Sequence, residues 1–565
     1  MDGLNSLVLL LLVFVGYIVA YNTYGRWLAH KIFGLRKDTR TPAHEFADRV
    51  DFVPTSRRIL FGHHFTSIAG SGPIVGPALA VIWGWLPATL WVVFGSIFMG
   101  ALQDFAVLLI SARNKGASVG ELTRKFLNPH LGRAFHLLIQ AYLWTLLAVF
   151  TMIMAILFNL YPQAVLPIWL EIPIALFLAY QVHTKKRSAR VWALVSIGLM
   201  FLSIWLGQLF PIAIFSTAGS QVISWAWILF VYLFFASITP VHWLLQPRDF
   251  INSHELLILM AFLVGGILFS QPQIVAPAIQ KVSDAPDLFP LLFLTLSCGA
   301  ISGFHSTVST GTTVRQLNRE TDSLFIGYGS MLLEGFLAIL VIIAVSAGLG
   351  MNGTGVQAFN QHYASWSAAS GLSAKLAAVV EGSANLLGPI GIPRSFAVSL
   401  ISVFIVSFVG TSLDTATRVQ RFSLQELLRK SDGKVIRPFN NRAFSTALVL
   451  AAAGVLVFQK PDGSGALLLW PIFGALNQLV ASSSLLLVSL YLLKRKKPVW
   501  IAAIPMAFMY VITIWAILLD WKKFLETGNA FYLLVLSGML ALALWMILGS
   551  AFQIRKNAQL QRQSP

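Results

Sequence analysis

Several ionisable side chains stand inside runs that are otherwise apolar, and their types name the chemistry open to them. Glu334 lies about ten residues into the apolar run 324–349. A charge at membrane depth costs about 2.5–3.5 kcal/mol on insertion scales, so such a carboxylate is a functional candidate by default. Glu334 can take up and release a proton or hold a cation; the plainer role is a structural partner for facing helices. Asp104 offers the same two roles nearer one end of the run 84–113. His63 and His64 follow Arg57 and Arg58 at the start of the run 60–82. Neighbouring helical residues point about 100° apart, which makes the pair poor joint ligands for one metal. They suit gating of an entrance or titration near neutral pH. His305, beside a cluster of hydroxyls, is the better pathway candidate. For each histidine the plain alternative is a satisfied packing residue. Asp414 and Arg418 are spaced i, i+4, which reads first as a helix-end ion pair and more sharply as part of an inner gate.

Main-chain groups supply the second kind of chemistry. Ala69-Gly70-Ser71-Gly72-Pro73, followed by Gly76-Pro77, interrupts an apolar run where Gly and Pro cannot keep a regular ladder. The freed N–H and C=O groups are expected to open toward a cavity. Ser237-Ile238-Thr239-Pro240 repeats the pattern more weakly, and broken helices in matching positions are the best sequence pointer to a midplane binding site. The run from Ser297 to Thr313 carries an unusual density of hydroxyls and glycines. Ser302 and Ser306 could complete a cation site with carbonyls from the first break; close packing with back-bonded hydroxyls is the alternative. The expected substrate-lining residues are therefore Ala69, Gly70, Ser71, Gly72, Ser237, Thr239 and His305. Glu334, Asp104, Ser302 and Ser306 are the expected coupling residues, and His63, His64, Asp414 and Arg418 the gating ones.

The elements that must position these groups are membrane helices. Hydrophobic residues make up 57% of the 565 positions and charged ones 11%, well below the roughly 25% of a soluble domain. Apolar runs recur at about 4–24, 60–82, 84–113, 134–158, 164–182, 190–208, 222–246, 255–271, 287–304, 324–349, 394–412, 443–458, 467–493, 498–519 and 529–553. A shorter piece near 374–390 reads as re-entrant. The alternating ten-residue pattern of a membrane β-barrel is absent. The first run follows Asp2 rather than a basic segment, so it is expected to remain as a helix. A net charge of +18 raises nucleic acid, but the basic residues sit in short loops, where they set topology. Nucleic acid is excluded on that distribution. One cysteine, Cys298, allows no intramolecular disulfide and no thiolate metal cluster. Neither HExxH nor a nucleotide-binding loop occurs, which argues against a membrane enzyme and against ATP drive. No cofactor is expected beyond Na+ or H+ as coupling ion, and whether a histidine binds a metal is left open.

Loop charges set the orientation. Arg26 to Arg58, Lys115 to Lys125, Lys185 to Arg190, Arg429 to Arg437 and Lys494 to Lys497 alternate with connections free of Lys and Arg at 159–167, 208–221 and 272–280. The basic set is expected in the cytoplasm, the N-terminus outside and the C-terminus inside. Helices 60–82 to 190–208 form five starting inside, and 222–246 to 394–412 form five starting outside, the arrangement of inverted-repeat transporters. The expected organisation is an N-terminal helix and basic loop over 1–59, a core over 60–412 (60–211 and 222–412), a basic connection over 413–442 and C-terminal helices over 443–565. The fold class is an all-α polytopic membrane protein with a LeuT-like 5+5 core, one extra N-terminal and about four extra C-terminal helices.

Several long stretches resemble the carbon starvation protein A family: FGHHFTSIAGSGPIVGPALA at 61–80, GALQDF at 100–105, QPRDF at 246–250, CGAISGFHSTVSTGTT at 298–313, FIGYGSMLLEGF at 325–336, LDTATR at 413–418 and LWPIFGALNQLVA at 469–481. They run in order from about Arg36 to about Arg495. The resemblance implies an importer of peptides, or in close relatives of pyruvate, in the bacterial cytoplasmic membrane under nutrient limitation. It also implies the amino acid–polyamine–organocation superfamily. Against longer members the chain reads as lacking one N-terminal span and as shorter over 350–395 and in the last inter-helix loop.

The combined expectation is a secondary transporter that imports peptides by alternating access on a proton or sodium gradient, with a pyruvate symporter as the alternative. An ion channel would need no coupling site, and a solute sensor would bind without moving its ligand. The partners expected are a small-molecule substrate and membrane lipid; oligomeric state is not readable from the sequence.

Overall fold

Lipid offers no partners to main-chain groups, so a chain this apolar folds as helices that satisfy themselves. The computed structural model describes residues 5–214, 218–353, 355–430, 434–458 and 469–563. Parts of the 208–221 and 413–442 connections lie outside the described residues. Among those described, twelve helices are long and apolar enough to cross a membrane, or thirteen if one bent pair counts as a span.

In chain order the elements are α1 (Ser6–Ile32), the bent pair α2 (Arg57–Ile68) and α3 (Gly72–Trp83), α4 (Trp85–Ala112), α5 (Pro129–Leu160), α6 (Pro162–Val182), α7 (Val191–Leu209), α8 (Gln221–Ile238) and α9 (Leu245–Ser270). There follow α10 (Leu288–Thr295), α11 (Gly303–Val308), α12 (Glu320–Met351), α13 (Leu372–Leu387), α14 (Arg394–Leu427), α15 (Arg442–Val457), α16 (Trp470–Lys494), α17 (Trp500–Glu526) and α18 (Ala530–Arg555). A helix apolar all round is either buried or faces lipid. Here α12 and α16 are 94% buried in their most apolar windows and form the centre with α5 and α14, whereas α1 and α18 stay near 30% and face outward.

Three boundaries differ from the sequence expectation. The run 222–246 is not one span: α8 ends at Ile238, and after Pro240 the chain turns into α9 at Leu245. Proline removes a donor and disfavours helix before it, so the expected weak break is the corner between two spans. The run 287–304 is interrupted, with extended backbone at Ile301 and Ser302 between a helical turn at Ser297–Ala300 and α11. Finally, α14 continues fifteen residues past the expected end at 412, because the charges that suggested a loop are buried and paired.

Candidate substrate and coupling site

The first break begins where α2 runs into Ala69-Gly70-Ser71, and α3 leaves at an angle of 45°. The last carbonyls of α2 do not open to a cavity as expected. Hydroxyls of α14 take them: Ser412 Oγ donates to the Ser67 carbonyl at 3.0 Å and Thr411 Oγ1 to the Thr66 carbonyl at 3.3 Å. Ser67 and Thr415 share a further hydroxyl contact at 3.0 Å. Ala69, Gly70, Ser71 and Gly72 are all buried, and Ser71 Oγ has no partner among the described residues. Two more buried hydroxyls without partners, Tyr142 and Thr151, sit on α5, whose Phe150 ring closes on Gly70.

The second break faces the first. A Cβ on Gly72 would overlap the Cys298 side chain, and one on Gly76 would overlap the Thr295 carbonyl, so only glycine lets the two interruptions meet. The extended stretch at Ile301–Ser302 is held from two sides. Gln103 Nε2 of α4 donates to the Ser302 carbonyl at 2.6 Å. Asn477 Oδ1 of α16 accepts from Ser302 Oγ and from the Phe304 N–H, each at 3.1 Å. Ser306 Oγ donates to the Gly303 carbonyl and accepts from Ser484 Oγ at 2.8 Å. Both hydroxyls expected to ligate a cation are thus engaged with protein.

Three of the expected residues converge beside this second break. His305 Nδ1 stands 2.9 Å from Asp104 Oδ2, and His305 Nε2 stands 3.2 Å from Glu334 Oε2, off the line of a hydrogen bond. All three side chains are fully buried. Asp104 Oδ1 and both Glu334 oxygens have no hydrogen-bond partner among the described residues. Burying several titratable groups at such spacing costs several kcal/mol per unpaired charge, so their proton inventory is tightly coupled. A carboxylate–imidazole–carboxylate line of this kind can bind and release protons. Glu334 lies near the middle of its span, Glu320–Met351.

The remaining expected residues lie elsewhere. His64 Nδ1 contacts Thr313 Oγ1 at 2.9 Å, and His63 Nδ1 contacts Asp249 Oδ2 at 2.5 Å; the two rings point to different helices, as their spacing requires. Ser237 Oγ lies 3.2 Å from Thr446 Oγ1 of α15, and Thr239 Oγ1 donates back to the Phe235 carbonyl. Asp414 and Arg418 do not form the ion pair expected from their spacing. Arg418 Nη1 instead pairs with Asp51 at 3.0 Å and its Nη2 donates to the Ala236 and Thr239 carbonyls.

Asp414 belongs to a cluster that the sequence reading passed over. Arg248 Nε donates to Glu171 Oε1 at 2.7 Å, and its Nη1 donates to Asp414 Oδ2 and Tyr232 OH at 2.6 Å. Ser407 donates to Glu171 Oε2 at 3.0 Å. Arg248 also closes on Gly410, next to Thr411 and Ser412 that cap the first break. The signal was present, since Glu171 is a carboxylate inside an apolar run and so a candidate by the same rule as Glu334. On α9, Glu255 and Asn252 are buried with no partner for either side-chain polar atom among the described residues.

The family model "Carbon starvation protein CstA" matches residues 5–516. The chain is 32% identical to the Escherichia coli protein named peptide transporter CstA, covering 95% of this chain and 85% of the relative. It is 33% identical to the protein of the same organism named pyruvate/proton symporter BtsT, covering 89% and 80%, and 31% identical to the Mycobacterium tuberculosis peptide transporter CstA, covering 90% and 74%. Among solved structures, MhsT in complex with L-phenylalanine aligns with a TM-score of 0.49 at 13% identity, covering 81% of this chain and 99% of that one. A variant of the Eremococcus coleocola manganese transporter aligns with a TM-score of 0.47 at 12% identity, covering 90% and 99%.

Proposed function

This chain belongs to the carbon starvation protein CstA family, and from that premise we propose that it is a secondary transporter that imports a small carboxylate-bearing solute, a short peptide, by alternating access in the bacterial cytoplasmic membrane. The single observation that carries the reading is the meeting of two broken helices, Gly72 against Cys298, beside a buried Asp104–His305–Glu334 line. Broken spans in matching positions are a recurrent mark of a midplane solute site, and here protein hydroxyls and amides hold the main-chain groups that the breaks free. The N-terminus of α3 and the unpartnered Ser71 hydroxyl suit a substrate carboxylate. The second broken element is α10–α11, so the two repeats are α2–α3, α4, α5, α8, α9 and α10–α11, α12, α14, α15, α16, with α6 and α7 an inserted hairpin. Two packing contacts support this: Gly62 of α2 lies against Ser253 of α9, and Ser237 of α8 meets Thr446 of α15.

Coupling follows from the charge count. With His305 protonated and both carboxylates ionised the buried line carries one net negative charge; a proton on Glu334 removes it. A net charge in a low-dielectric interior is costly, so the two protonation states favour different packing around α12. Pyruvate is the second reading, favoured by the relative whose name carries it. Uptake of labelled di- and tripeptides and of labelled pyruvate into proteoliposomes, under separate proton and sodium gradients, tests the proposal. One proton per substrate gives about tenfold accumulation of an anion carrying one negative charge for each unit of pH difference. Accumulation on sodium alone, or none of either substrate class, contradicts it. Cys298, the sole cysteine, provides a second check: its alkylation rate is expected to change when transported substrate is added, and an unchanged rate speaks against movement at the breaks.

A further inference from the structure

We infer that the cleft between α1 and α12 is a binding site for an anionic phospholipid. The cleft has a volume of about 530 Å³. Phe14, Ile18, Leu332 and Phe336 form its apolar walls, and Arg26 and Arg57 stand at one end. The two helices touch through Phe14 and Phe336, ring centroids 5.6 Å apart, and through Tyr21 and Tyr328 at 6.2 Å, which leaves the space between these contacts open.

Its dimensions fit half a bilayer. Twelve residues separate Phe14 from Arg26, about 18 Å of helix, against roughly 15 Å for one leaflet of hydrocarbon. An acyl chain laid along the apolar wall therefore ends its headgroup beside the arginines. Arg26 is exposed and makes no ion pair among the described residues. Arg57 is half exposed; it stacks over Phe325 at 4.0 Å and reaches Asp322 only at 4.0 Å. Two under-neutralised guanidiniums at one end of an apolar slot match a phosphate diester, and they discriminate against a zwitterionic headgroup. The floor of the cleft is the Gly329, Leu332 and Phe336 face of α12, the helix that carries Glu334. A lipid seated there holds α1 against the coupling helix.

The test is native mass spectrometry of the delipidated full-length protein in detergent, titrated with phosphatidylglycerol and, separately, phosphatidylethanolamine. Wild type is expected to bind phosphatidylglycerol in preference. Arg26→Gln with Arg57→Gln should weaken that binding roughly thirtyfold and weaken phosphatidylethanolamine binding much less, so that the preference is lost. Arg26→Gln alone, at an exposed position with no ion pair, should weaken it roughly fivefold. Lysine at both positions should restore most of the preference. Equal phosphatidylglycerol affinity in wild type and the double variant, or no preference in wild type, overturns the assignment. Neither readout depends on transport, so failure of the functional proposal would leave this result interpretable.

Discussion

His305 Nδ1 lies 2.9 Å from Asp104 Oδ2 with neither side chain reaching solvent. The imidazole cannot lose this partner without leaving a buried carboxylate alone, and its other nitrogen already approaches Glu334. The three groups act as one titrating unit.

Non-additivity is the expected mark of that unit. His305→Gln should destabilise the protein by about 3–5 kcal/mol, because Asp104 and Glu334 then lose the imidazole buried between them. Adding Glu334→Gln should recover part of the loss in a double-mutant cycle while transport stays absent. Thermal unfolding of the purified variants measures the first effect and vesicle uptake the second; additive losses would separate Glu334 from the unit.

Close contact between the broken helices predicts a compensating pair. Gly72→Ala places a methyl group into Cys298 and should cost about 1–3 kcal/mol through overpacking, with loss of uptake. Cys298→Gly removes the obstruction, so the double variant should regain uptake that Gly72→Ala lacks. Equal uptake by Gly72→Ala and wild type would show that the breaks do not meet.

Arg248 is the shared ion-pair partner of two carboxylates, so its removal should be more damaging than the loss of either one. Arg248→Met leaves Glu171 and Asp414 buried and unpaired, with an expected loss of about 3–5 kcal/mol. Lysine should rescue poorly, because a point charge cannot reproduce the guanidinium's divergent donors. Stability of the two variants in detergent decides this.

Asp51 carries a pH signature. Burial pushes its carboxyl up, but Arg418, with Arg421 and Arg315, outweighs that and holds it below the ordinary aspartate value. A lowered folded value stabilises above the unfolded value of roughly 3.9 and is lost as pH falls through the folded one. Asp51→Asn should therefore be less stable than wild type at neutral pH, with the gap closing in strong acid. A gap that stays constant from pH 7 to pH 3 would contradict the pairing with Arg418.

The first break was legible because Gly70, Gly72 and Pro73 act on the chain by their own backbone chemistry, whatever surrounds them. Glu334 and His305 were legible because charge at membrane depth is expensive. Their meeting with Asp104 was not, since partners on three helices share no sequence pattern. The same limit hid Arg248, which falls between the expected runs 222–246 and 255–271. The i, i+4 spacing of Asp414 and Arg418 suggested a local pair, and tertiary partners more than 160 residues away took both side chains. Ser237 to Pro240 showed the converse: Pro240 marked a corner rather than a break within one span.

Proton-driven accumulation by Glu334→Gln is the most direct measurement of the central claim. Vesicles carrying this variant, given a one-unit pH gradient, should exchange labelled for unlabelled substrate yet show no accumulation above equilibrium. Tenfold accumulation, equal to wild type, would contradict the assignment of Glu334 as the coupling carboxylate.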